Sequence, residues 1–120
     1  MKVIRILSSL VALVAVVLPT TVARAADDTV DKILDRRCAK CHGTTGKGDG
    51  SALKQTGADT KPMDWTNKAA MAKRSDADLV KIIELGGKGV NMSKEMPAYT
   101  GKLSDAEIAA VVKHIRSLGK

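Results

Sequence analysis

The apolar positions of this chain form one continuous run followed by a series of helical stripes. Ile6 to Leu18 is apolar apart from Ser8 and Ser9, and Pro19 breaks the run. Downstream, Val30, Ile33, Leu34 and the Arg37/Cys38 pair recur at helical spacing. That spacing predicts a first helix over Asp27 to Arg37, delivering Cys38 at its C-terminal end. Gly43 to Gly50 reads as loop, and residues 51–65 as irregular, with Gly57 and Pro62 as breakers. Thr66 is the expected cap of a short helix through Ala72. Ser75 and Asp78 have the S-x-x-[DE] spacing of a helix start. Leu79, Ile82 and Ile83 give that helix its apolar face, and Gly86-Gly87 is its expected end. Residues 88–102 form a second irregular stretch.

The last helix is the most strongly marked. Ser104 and Glu107 make a capping box, with Leu103 and Ile108 in the flanking positions of a hydrophobic staple. Ile108, Val111, Val112, Ile115 and Leu118 then form one stripe, and Gly119 stops it. No segment reads as a strand, and no internal repeat is present. The pattern predicts an all-α fold.

The N-terminal run has a different destiny. Lys2 and Arg5 precede it, and Ala23-Arg24-Ala25 follows with a small-x-small cleavage pattern. A membrane span needs about 18 or more apolar residues, and this run is shorter, so residues 1–25 read as a cleaved secretory signal peptide. Residues 26–120 remain as one small domain, exported and soluble. Losing Lys2, Arg5 and Arg24 lowers the formal charge from +7 to +4. The remaining lysines are scattered, with no aromatics between them, which argues against nucleic-acid binding. They suit a solvated surface or a rim that steers acidic redox partners.

Composition raises a question about the core. The chain has one Trp (Trp65), one Tyr (Tyr99) and no Phe. A domain this short is marginal unless something is added to its interior. Cys38-Ala39-Lys40-Cys41-His42 names a candidate, because C-x-x-C-H is the attachment signature of c-type haem. Two thiols three residues apart can reach both vinyl groups of one porphyrin, and the adjacent histidine is then placed to ligate iron. A covalently held porphyrin is also a large apolar body of the kind the core lacks. The rival readings are weaker. No strand–helix–strand pattern surrounds the pair, as a thioredoxin-like motif would require. A zinc site would be one ligand short, because only His114 remains to be added. A disulfide between residues this close would restrain little of the chain.

With His42 on one side of the iron, the opposite ligand decides between electron transfer and small-ligand chemistry. Met63, Met71, Met92, Met96 and His114 are the candidates after the motif. Met71 lies inside a helical run and is expected to pack; Met63 adjoins Pro62; His114 falls off the apolar stripe of the last helix, where a surface position is expected. Met92 and Met96 share a loop free to fold over the far side of a haem. Pro97 stiffens the backbone immediately after Met96.

The chain resembles class I monohaem cytochromes c of the small bacterial periplasmic type. The resemblance rests on Cys38–His42, the Gly46–Gly50 stretch, Met96-Pro97-Ala98-Tyr99 and the Leu103-Ser104-Asp105 cap, in that order. It implies three to five helices wrapped around one haem c, thioethers at Cys38 and Cys41, and His42 and Met96 as axial ligands. It also implies that the Pro62 carbonyl accepts from the His42 ring. Two departures are that Met92 lies four residues before Met96, and that His114 stands where relatives often carry an aromatic.

The implied function is a one-electron carrier of the periplasm, not an enzyme. It would serve a respiratory or dehydrogenase-linked chain and dock redox proteins with acidic surfaces. Two alternatives stay open: a dedicated cytochrome subunit of a dehydrogenase or oxidase complex, and a haem enzyme or gas sensor with an open distal site.

Overall fold

The computed structural model describes residues 30–56 and 61–119. The proposed signal peptide and the first residues of the expected opening helix lie outside that range. The described residues are helical, with no strand; Thr100 and Leu103 make one isolated bridge. The all-α expectation is met.

The first helix is already formed at Val30 and runs beyond its expected end at Arg37. It widens into a single π turn over Leu34–Cys38, in which the Ala39 N–H donates to the Leu34 carbonyl, and then tightens into α1, Ala39–His42. The haem-attachment motif is therefore helical throughout. Gly43 ends α1 with φ 76°, a conformation that suits glycine.

Next comes α2, Ser51–Thr56, in the stretch expected to be irregular. Six residues are too few to display a helical period, so the apolar pattern gave no sign of it. In α3, Lys68–Ala72, the cap is Asn67 rather than Thr66: its side chain accepts from the Ala70 N–H at 3.0 Å. Thr66 is occupied with Asp64, whose carboxylate takes both its N–H and its hydroxyl.

Two long helices complete the fold, α4, Asp76–Gly89, and α5, Asp105–Leu118. Both open with the expected capping boxes, Ser75 with Asp78 and Ser104 with Glu107. The glycine pair ends the continuous helical part of α4, as expected. Gly86 interrupts it with φ 68° and ψ 175°, and one further turn follows to Gly89.

The stripe of α5 packs on α4. Ile108, Val111, Val112 and Ile115 are buried against Leu79 and Ile83, with Ile33, Trp65, Met71 and Tyr99 completing the cluster. Met71 is a core residue, as expected, at 3% exposure. Arg116 clamps the C-terminal half of α5: its guanidinium donates to Asp76 at 2.6 Å, to the Met71 carbonyl at 2.8 Å and to the Arg74 carbonyl. Trp65, Leu79, Ile83, Tyr99, Val111 and Ile115 of this cluster also line an open cleft.

Candidate functional site

The cleft encloses about 1250 Å³, its mouth included. One wall carries Cys38, Cys41 and His42 from the first helix. Leu79, Ile83, Val111 and Ile115 add apolar lining, and Met92, Met96, Pro97 and Tyr99 line it from the segment after α4. The structure thus gathers all four nominated residues, Cys38, Cys41, His42 and Met96, around one space. Arg37, Lys61 and Glu95 are the charged residues on its lining.

The two cysteines are free thiols, both half-buried, and burial pushes the Cys38 thiol up, so it is protonated at neutral pH. His42 stacks on Trp65, with ring centroids 4.3 Å apart and planes 19° from parallel. Burial lowers the imidazole to about 4, which keeps it neutral and able to donate a lone pair. Its Nδ1 is shut off from solvent with no hydrogen-bond partner, the one such side-chain atom among the described residues. The expected bond from the His42 ring to the Pro62 carbonyl is not made. That carbonyl lies against Gly48 instead, where a Cβ would come within 2.5 Å of it.

The glycines after His42 serve the packing of the segment around it. They do not line the cleft. Gly46 fits under Trp65 and Leu118, where a Cβ would sit 2.8 and 2.9 Å from their side chains. The Gly48 and Gly50 N–H groups donate back to the His42 and Cys41 carbonyls at 2.8 and 3.1 Å. The loop therefore caps the helix that carries the motif and holds Trp65 behind His42. The sequence signal for it is the spacing of the glycines; their target was not visible there.

The methionine wall is fixed by the break in α4. The Gly87 N–H donates to the Met96 carbonyl at 3.0 Å, and the Met92 N–H donates to the Gly87 carbonyl at 2.7 Å. A Cβ on Gly86 would stand 2.7 Å from backbone atoms of Met96, Pro97 and Ala98, so only glycine lets the loop lie this close. Three residues past Met96, the Tyr99 N–H donates to the Ile83 and Glu84 carbonyls at 3.0 and 3.2 Å. Its hydroxyl crosses to the first helix and donates to the Arg37 carbonyl at 3.0 Å.

Met96 is half-buried and packed on the core, whereas Met92 is 43% exposed. Met63 also lines the cleft. His114 is half-buried, away from the cleft, in a second, smaller hollow beside Asp31, Asp35 and Trp65. Trp65, Tyr99 and Gly86 are the residues whose roles the sequence did not reveal. The scarcity of aromatics and a Gly-Gly pair inside a helical pattern were the available signs.

A family model for cytochrome c matches residues 28–119. Among solved structures, the fold is similar to that of the KustC0563 c-type cytochrome, at 25% identity and a TM-score of 0.56. The match covers 75% of this chain and 96% of that one.

Proposed function

Because this chain belongs to the cytochrome c family, whose members bind haem and transfer electrons, we propose that it is a periplasmic one-electron carrier holding a single haem c. Residues 1–25 would direct export and be removed, leaving residues 26–120 to receive the haem outside the cytoplasm. The carrier docks donor and acceptor proteins through acidic patches on their surfaces, and it catalyses no bond-making of its own.

The observation that carries this reading is the composition of one cleft: two free thiols, a neutral imidazole with a buried unpartnered nitrogen, and a thioether. These residues fit the group. When bound, haem supplies an iron that alternates between Fe(III) and Fe(II). Cys38 and Cys41 would hold it through thioethers. His42, kept neutral by burial and backed by Trp65, would hold the iron through a ring nitrogen. Met96 would hold it through its thioether sulfur, a ligand that favours the reduced state. The apolar lining excludes water, so a change of charge there causes little solvent reorganisation.

Visible spectra of the holoprotein and of Met96→Ala test the ligand set, oxidised and reduced, with and without carbon monoxide. The wild type is expected to show a methionine–iron charge-transfer band, to titrate as a one-electron couple and to ignore carbon monoxide. The variant is expected to lose the band and bind the gas. Ready carbon monoxide binding by the wild type would overturn the carrier reading in favour of a distal-site enzyme or sensor. A band that persists in the variant would reassign the sulfur to Met92 or Met63.

A further inference from the structure

We infer that Tyr99 is a positioning residue: its hydroxyl bond to the Arg37 carbonyl fixes the separation of the two segments that present the axial ligands. The inference rests on the His42/Met96 assignment proposed above. Arg37 immediately precedes Cys38, at the end of the π turn, on the wall that carries His42. Tyr99 follows Met96 by three residues, and both line the same cleft as His42. The bond joins them at 3.0 Å across 62 residues of sequence.

Three features make the tie directional. Tyr99 is 8% exposed, so little water competes for its hydroxyl. Burial also pushes the phenol up, which keeps it protonated and therefore a donor at neutral pH. Its backbone is itself anchored, through the N–H bonds to Ile83 and Glu84, and Thr100 adds N–H and hydroxyl bonds to the Glu84 carbonyl at 3.1 and 2.8 Å. The phenol is thus a rigid strut standing on α4 with its tip on the first helix. Met96 lies in sequence between this strut and the Met92 bond to Gly87, and its own carbonyl accepts from the Gly87 N–H, so its loop is held on both sides.

The consequence concerns how easily the sulfur yields to an outside ligand. Displacing Met96 requires its loop to move away from the His42 wall, and the strut opposes that movement. Removing one hydroxyl should strengthen imidazole binding to the oxidised holoprotein by about tenfold, the equivalent of one net hydrogen bond. Tyr99→Phe keeps the ring and its burial. Ser75→Ala is the control: it removes the cap of α4, at a comparable cost in stability, without touching the cleft.

Imidazole titrations of wild type, Tyr99→Phe and Ser75→Ala, read by loss of the methionine–iron band, give the test. Tighter binding in Tyr99→Phe alone supports the strut. Equal binding in all three overturns it, and so does equal tightening in both variants, because the effect then follows stability. A wild type without the band removes the Met96 assignment and the strut with it. The wild-type holoprotein provides a second measurement: a slowly exchanging Tyr99 hydroxyl proton in its nuclear magnetic resonance spectrum, with a cross-peak to the Arg37 backbone. If that proton exchanges freely, the bond is absent and the inference fails.

Discussion

Gly86 meets two demands with one missing atom. Its φ of 68° is open to glycine at little cost, and the Met96–Ala98 backbone occupies the space a side chain would need. Gly86→Ala should therefore cost more than the roughly 1 kcal/mol of an ordinary glycine-to-alanine strain, since backbone rather than a flexible side chain must give way. It should also weaken the methionine–iron band, because the displaced segment is the one proposed to present the sulfur. A denaturant titration and a spectrum of one sample check both; a variant that loses stability with an unchanged band would place the strain outside the ligand loop. Trp65 is the counterpart beside His42. The amino-acid order shows that it is the single Trp, while its stack on His42 depends on a glycine loop that only folding brings beneath it.

The helices divide by how much sequence each had in which to declare itself. The two long ones, α4 and α5, repeat an apolar stripe over several turns and carry reciprocal caps, so their starts were legible. α2 and the π turn leave no periodic trace, because a single turn cannot establish a period. The continuation of the first helix through Cys41 and His42 was equally hidden, for those residues are chosen by chemistry rather than by helical preference. The caps have a measurable consequence. Hydrogen bonds from Ser75 and Ser104 hold the Asp78 and Glu107 carboxyls below their ordinary values of 3.8 and 4.5. A lowered native value means that the unfolded chain binds protons first as pH falls. The stabilisation is complete above 4.5 and fades as pH drops through 4.5 and then 3.8. Urea midpoints of the holoprotein should decline over that range, and Asp78→Asn with Glu107→Gln should flatten the decline. Asp64, lowered by Thr66, should leave a residual slope.

At the scale of the molecule, the fold is arranged around a gap. The core cluster has a single Trp and a single Tyr among aliphatic and methionine side chains, and both aromatics border the cleft. The scarcity of aromatics made the need for an added apolar body legible, and the pentapeptide said what kind. The walls that receive it were not legible, since Met96, Tyr99 and Gly86 come together only through the break in α4. A chain that binds its cofactor only when native borrows stability from it. Cys38→Ser combined with Cys41→Ser should therefore yield a protein that retains haem poorly. Far-ultraviolet circular dichroism should show less helix than in the holoprotein, and unfolding should be broad. A haem-free chain with the holoprotein's helix content and a sharp transition would show that the aliphatic cluster suffices alone.

The π turn at Leu34–Cys38 acts as a phase shifter. One extra residue in a helical turn advances everything after it by about 100° around the axis. Val30 and Ile33, before the turn, are buried in the body of the protein, while Cys38, Cys41 and His42, from its last residue onward, face the cleft. An unbroken α-helix would have to serve both directions with one face. Deleting a single residue there would give a more regular helix whose thiols and imidazole are rotated out of alignment with the methionine wall.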